Sequence, residues 1–312
     1  MTRPRRLTLA LAAMLSMGAA RAPHDVRIVG YNDMHEMLAA AAARITALHP
    51  EMRIVLDLPA TRAAPAALID GRSVLAPMGA AMEPADRATL RARWGGDPIE
   101  IRIAHDSLSP AALSSPIAVV VARDNPLASL PLATVRAAFT GAAPPEHWGD
   151  LGVRGAWARQ PVHLYGLAAD TAIARYLLDG PFAASGFTAT LRSFHQSRDV
   201  VAAVAADRFG LGITTLNHAG GATRALALGD AAGIHVPNRA GITGGGYPLD
   251  RFLLIYARRD ARGGVEPDAA LVLGFLLSRA GQAIIEHGSL GYIPLSPREL
   301  AIERAKLNSL VD

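Results

Sequence analysis

The chain has 312 residues, of which 51% are hydrophobic and 19% charged, a globular composition long enough for one large domain or two medium ones. It contains no cysteine, which excludes disulfides, cysteine-based zinc sites, thiol catalysis and iron–sulfur clusters. The formal net charge is +4, and this excess lies at the N-terminus.

Residues 1–22 have the layout of a signal peptide. A basic MTRPRR segment precedes the apolar run LTLALAAMLSMGAA, and Ala20-Arg21-Ala22 resembles an A-x-A cleavage site. The apolar run is about 14 residues, shorter than the roughly 20 residues of a spanning helix. We therefore predict export to the periplasm, with an uncleaved N-terminal anchor as the alternative.

Cleavage of this segment would change the charge balance. It removes four arginines and no acidic residue, so the mature chain has equal numbers of basic and acidic residues. The charge of the mature chain therefore gives no indication of nucleic-acid binding.

Strand and helix patterns alternate from residue 26 to residue 105. Strands are predicted at VRIVGYN, MRIVLDLP, SVLAPM and IEIRIAH. The intervening helices are DMHEMLAAAAARITALHP, residues 61–69 and EPADRATLRARWGG. Asp33 and Glu36 have the spacing of a capping box at the start of the first helix. This order predicts an α/β fold in which helices cover a parallel sheet.

A second α/β unit begins near residue 116. It starts with the strand SPIAVVVARDNP and ends with the helix SRDVVAAVAADRFG and the strand LGITTLNHA. A glycine-rich segment, GITGGGYPLD, precedes the late strand RFLLIYARR and a long helix, and we interpret it as a hinge or lobe crossing. The pattern predicts two lobes, with the chain returning to the first and the ligand in the cleft between them.

Segments along the whole mature chain resemble the phosphate-binding solute receptors of ABC transporters. They are HPEMRIVLDLPATRAAPAALIDGRSVLAPMGAAM, VVVARDNPLASLPLATVRAAFTG, WGDLG, YPLDRFLLIY and LSRAGQAIIEHGSLGYIPL. The resemblance implies a type II periplasmic-binding-protein fold with mixed, mostly parallel sheets, helices on both faces and two inter-lobe crossings. Lobe I is expected at residues 23–108 plus 247–312, and lobe II at residues 109–246.

The ligand loops depart from the family pattern. The family's Ser-Ser-Thr falls on Thr61-Arg62-Ala63, and its Ser-Arg falls on Gly79-Ala80. In the family, an Asp accepts a hydrogen bond from protonated phosphate and a second-lobe Arg pairs with the phosphate charge. Those positions are Val74 and Leu167 here. The resemblance therefore favours the architecture more strongly than it favours phosphate as the ligand.

Six polar residues of these loops are the predicted ligand contacts: Asn32, Asp33, Thr61, Arg62, Asp170 and Thr171. The threonines offer hydroxyls, Asn32 an amide, and Arg62 a bidentate fork for an oxyanion unless it is simply a solvated side chain. The two aspartates stand at helix starts, where they either cap the helix or accept a proton from a ligand hydroxyl or ammonium group.

The expected function is that of a periplasmic receptor that delivers a small ligand to an ABC permease. The ligand is phosphate, another oxyanion or a small polar solute. The alternative is a degenerate binding domain that acts as a sensor or interaction module, with altered or lost phosphate binding. No H-E-x-x-H or G-x-S-x-G motif is present, so we expect neither a zinc site nor an enzyme. We also expect a monomer with no cofactor and no nucleic-acid partner.

Overall fold

The computed structural model describes residues 22–308, and the predicted signal peptide lies outside them apart from Ala22. Within these residues the strands are β1 (His24–Val29), β2 (Met52–Asp57), β3 (Leu75–Met78), β4 (Ile99–His105), β5 (Ile117–Ala122), β6 (Ser129–Pro131), β7 (His163–Leu167), β8 (Arg192–Phe194), β9 (Gly210–Thr215), β10 (Thr223–Ala225), β11 (Ala227–Asp230), β12 (Gly233–His235), β13 (Phe252–Ala257) and β14 (Ile293–Pro294).

The helices are α1 (His35–Leu48), α2 (Ala64–Ile69), α3 (Pro84–Trp94), α4 (Leu132–Thr140), α5 (Ala172–Asp179), α6 (Ser197–Ala206), α7 (Arg239–Thr243), α8 (Pro267–Leu276), α9 (Arg279–Glu286) and α10 (Pro297–Asn308). No single helix in the described part of the chain has the length and hydropathy to cross a membrane. α8 and α9 have that length and hydropathy only when they are taken together, and the pair is bent by 60° at the break between them.

The sheet of lobe I combines early and late segments of the chain. Over the described residues its strand order is β14-β4-β13-β3-β1-β2. Val26 and Ile28 of β1 point into a core shared with α1, α8 and α9, whereas Asp25 and Arg27 alternate with them on the outside. A separate cluster packs α2 and α3 against β3 and β13 on the other face. Helices therefore cover both faces of this sheet, as predicted.

The sheet of lobe II is built around a fully buried strand. Its order over the described residues is β10-β5-β9-β7-β8. All six residues of β5, IAVVVA, are buried, because alternate side chains face two different clusters. One cluster includes Phe139 and Trp148, and the other includes Val200 and Val204 of α6. A strand covered on both faces reads as a continuous apolar run, which is the pattern in the sequence.

The two-lobe α/β fold with mixed sheets is confirmed, but antiparallel pairing is more frequent than predicted. β1 runs parallel to β2 and β3, whereas β13 is antiparallel to both β3 and β4. The chain returns to lobe I at the end of the sheet where β3 finishes. β13, the strand that follows, must therefore run in the direction opposite to β3.

Two segments carry the chain between the sheets, one after β4 and one before β13. The predicted lobe boundaries, 108/109 and 246/247, fall within them. Part of the predicted glycine-rich crossing is helical, because α7 includes Gly241, Ile242 and Thr243. Gly245 has a φ of +71°, a conformation that strongly favours glycine, and it lies between α7 and β13.

The predicted capping box at α1 is wrong. Neither Asp33 nor Glu36 makes a capping hydrogen bond at this helix. Asp33 accepts hydrogen bonds from the Leu113 N–H and the Tyr292 hydroxyl, and Glu36 accepts from the Ser289 N–H. The two carboxylates therefore tie α1 and the turn before it to distant segments, a pairing that helix spacing cannot reveal.

We expect Gln282→Leu to lower the free energy of unfolding by about 2–4 kcal/mol, because buried backbone groups would lose their partners. The Gln282 amide donates to the carbonyls of Ile103 and Leu276 at 3.0 Å each and accepts from the Leu295 N–H at 2.9 Å. Urea unfolding measures the loss. Gln160→Leu is the control, and equal midpoints for the two variants would contradict the prediction.

Candidate functional site

A cleft of about 500 Å³ lies where the strands of the two lobes end. One side, here called the apolar wall, consists of Gly79, Ala80, Pro110, Ala111, Ala112 and Leu113. The opposite side, here called the polar wall, consists of Thr171, Ala172, His195, Ser197, Arg198 and His218. Ligands of α/β proteins bind at the carboxyl ends of strands, so this cleft is the candidate site.

The polar wall presents the N-termini of two helices. Thr171 caps α5: its hydroxyl accepts from the Ala174 N–H at 3.3 Å and donates to the Ala168 carbonyl at 2.8 Å. The start of α6 has no side-chain cap, and Ser197 and Arg198 stand there. Helix N-termini carry partial positive charge. No carboxylate lines the cleft among the described residues, so the wall favours an anion.

The apolar wall follows β3 and the first crossing. The Gly79 N–H donates to Thr61 Oγ1 at 3.1 Å, which leaves the Thr61 hydroxyl hydrogen available to a ligand. A Cβ at Gly79 would lie 2.7 Å from the Tyr31 ring, so only glycine fits this approach. The Tyr31 hydroxyl in turn lies 3.0 Å from Ser114 Oγ.

A buried guanidinium joins the two lobes at the back of the cleft. Arg251 is 7% exposed and donates to the carbonyls of Gly79 at 2.8 Å and Ser115 at 3.3 Å. Its guanidinium lies 5.3 Å from the centre of the Tyr176 ring of α5 and 3.4 Å from Asp106 Oδ2. Arg251 therefore contacts the end of β3, the segment before β5 and the helix behind the polar wall.

Asp106 is the counter-charge of Arg251. Its side chain is fully buried, and neither carboxylate oxygen accepts a hydrogen bond from the described residues. Burial raises the pKa of Asp106 to about 6, although the nearby Arg251 opposes this rise.

A second buried ionisable group lies beside this pair. His105 bonds Asp250 at 2.6 Å through Nδ1 and Glu299 at 3.1 Å through Nε2. Burial opposes a charge on His105, but the two carboxylates outweigh it and raise its pKa. The contacts connect β4, the second crossing and α10, so the C-terminal helix is held to the crossing region.

The comparisons with known proteins agree with this geometry. No family model matches the chain. It is 28% identical over 286 residues to the phosphate-binding protein PstS of Pseudomonas aeruginosa, covering 89% of this chain and 85% of that protein. The chain resembles the phosphate-binding solute receptors in both sequence and fold.

Solved structures show the fold of these receptors. A phosphate transport receptor from Vibrio cholerae superposes with a TM-score of 0.60 at 15% identity, covering 86% of this chain and 99% of that one. PstS from Borrelia burgdorferi gives a TM-score of 0.59 at 12% identity, covering 87% and 99%.

The receptor fold brings two of the six predicted contacts to the cleft. Thr61 and Thr171 line it from opposite sides. Asn32 and Arg62 are exposed and are not part of the lining. Asp33 is held by Leu113 and Tyr292, as described above.

Asp170 also lies outside the lining. It is exposed and pairs with His195 at 3.4 Å, a surface ion pair of small energetic value.

Sequence reasoning missed the cationic residues of the cleft. Arg198 stands in Ser197-Arg198-Asp199, a pattern that by itself indicates only the capping of a helix start. Arg251 lies in the YPLDRFLLIY segment, where a charge directly before an apolar strand is the available signal. In the receptor fold, Arg198 lines the cleft from one side and Arg251 from behind.

We expect Asp106→Asn to remove a pH dependence of stability. Because the native pKa of about 6 lies above the ordinary value of 3.8, this carboxyl stabilises the fold below pH 3.8, and that stability is lost as pH rises through 6. On going from pH 4.5 to pH 7.5, wild type should lose about 2 kcal/mol more unfolding free energy than the variant. Urea unfolding at both pH values measures this, and parallel losses would contradict it.

Proposed function

We propose that the protein is a periplasmic solute receptor that binds a small anion between its lobes and delivers it to an ABC permease. The polar wall carries this proposal: Arg198 and two helix N-termini face a cleft that no carboxylate lines among the described residues. The similarity to phosphate-binding receptors along most of the chain supports it.

An anion is the ligand that the polar wall stabilises. The uncapped N–H groups of α6 and the guanidinium of Arg198 supply donors and positive charge together. A cation would meet the same charges, because the carboxylates paired with Arg198 and His195, those of Asp199 at 3.8 Å and Asp170 at 3.4 Å, lie outside the described lining. We propose Thr61 and Arg198 as ligand contacts. Thr171 lines the polar wall as the cap of α5, but its hydroxyl hydrogen and its N–H are both donated to the Ala168 carbonyl, and we propose no ligand contact for it or for Asn32, Asp33, Arg62 and Asp170.

The same proposal includes the location, the oligomeric state and the partner of the receptor. The signal-like N-terminus supports a periplasmic location. The similar proteins are named for phosphate binding and transport, which supports a receptor without catalytic activity and a permease as its partner. That the receptor is a monomer is part of the same proposal. The altered positions Val74 and Leu167 favour the second candidate, a sensor or interaction module with little affinity for phosphate.

Calorimetry at low ionic strength tests the receptor proposal. The two probes are phosphate and phenylphosphonate, an organic anion with a similar charged head group. We expect Arg198→Gln to weaken the binding of both about tenfold or more, because a charge-assisted contact is lost. Arg91→Gln is the matched control. Arg198 belongs to an exposed, loose ion pair with Asp199 at 3.8 Å, and Arg91 of α3 belongs to a similar pair with Asp97 at 3.5 Å. Arg91 is not part of the cleft lining, so its substitution should leave binding unchanged.

Two results would count against the receptor. If wild type gives no heat with either anion and no shift of the thermal midpoint, that result supports the second candidate, a sensor or interaction module. If Arg198→Gln binds both anions like wild type, the polar wall is not the anion site.

A further inference from the structure

The apolar wall offers a ligand few hydrogen-bond donors: the Ala80 N–H has no assigned bond and the Thr61 hydroxyl lies beside it, but residues 110–113 offer none. Its side chains are those of glycine, alanine, proline and leucine, and Pro110 has no N–H. The other N–H groups with assigned bonds donate within the protein: Gly79 to Thr61 Oγ1 at 3.1 Å, Leu113 to Asp33 at 2.8 Å, Ala111 to the Ser109 hydroxyl at 3.3 Å and Ala112 to the Ser109 carbonyl at 3.1 Å.

The wall is also held rigidly in this arrangement. The Asn217 amide donates to the carbonyls of Ser109 and Ala112 at 3.2 and 3.1 Å, and the Asn217 N–H donates to Ser115 Oγ at 3.0 Å. The Gly79 carbonyl accepts a hydrogen bond from the Arg251 guanidinium. The bonds that consume these polar groups therefore belong to the scaffold, and a ligand would have to break them to gain donors there.

The two walls suit different parts of one ligand. An inorganic oxyanion has acceptor oxygens on every side, and those facing residues 110–113 would lose water without gaining donors, which is costly for a charged group. A ligand with an apolar side loses nothing there and removes the exposed surface of Leu113, which is 64% exposed, from water. The volume of about 500 Å³ lies in the range of small-molecule sites.

We infer that the ligand is an organic anion, with its charged head on the polar wall and a compact apolar body on the apolar wall. This inference rests on the proposed receptor function and narrows its ligand class. An inorganic oxyanion would bind the polar wall and Thr61 but would leave residues 110–113 without a partner. The altered loops then correspond to a change of ligand class.

A series of anions with one type of head group tests the inference. Phosphate, methylphosphonate and phenylphosphonate are titrated into the full mature chain by calorimetry at low salt. We expect affinity to rise along this series, with phenylphosphonate at least tenfold tighter than phosphate. Phosphate binding as tightly as phenylphosphonate would overturn the organic ligand and leave the anion receptor standing. No binding of any of the three would overturn both.

Two leucine variants test whether the apolar body of the ligand contacts the apolar wall. Leu113→Ser should weaken phenylphosphonate binding about threefold to tenfold and leave phosphate binding unchanged. Leu48→Ser is the matched control, because Leu48 is 70% exposed at the end of α1 and is not part of the cleft lining. Equal phenylphosphonate affinities for the two variants, with unchanged thermal midpoints, would show that the body does not lie on the apolar wall and overturn the inference.

Discussion

The arrangement of the two lobes depends on one buried guanidinium. Arg251 donates to a carbonyl at the end of β3 and to another just before β5, so one side chain spans both sheets. Burying this charge is tolerable because Asp106 lies beside it and because its donors are used by backbone carbonyls. Any opening or closing motion of the lobes has to preserve or replace these bonds.

The same contacts shape the cleft. Gly79, which Arg251 holds through its carbonyl, also binds Thr61 through its N–H and approaches the Tyr31 ring too closely for any side chain. The lobe junction and one wall of the candidate site are therefore a single unit. The other wall is built independently, from the starts of α5 and α6 in lobe II.

This division explains how a receptor fold can keep its architecture while its ligand changes. The helix N-termini of the polar wall follow from backbone geometry and persist whatever the loop side chains are. Under the proposed function, selectivity depends on the side chains and bonded N–H groups facing those termini. Here Gly79 and Ala80 stand where the resembling family has Ser-Arg, and the wall they begin is apolar.

The sequence by itself determined the α/β alternation, the two lobes and most helices and strands, because apolar periodicity and glycine or proline boundaries are local signals. It also predicted Thr61 and Thr171 as ligand contacts, and both line the candidate cleft. Only the tertiary structure decided that Asp33 binds distant segments and that Arg198 and Arg251 line the cleft. These outcomes depend on contacts between residues far apart in the chain, and local spacing carries no information about such contacts.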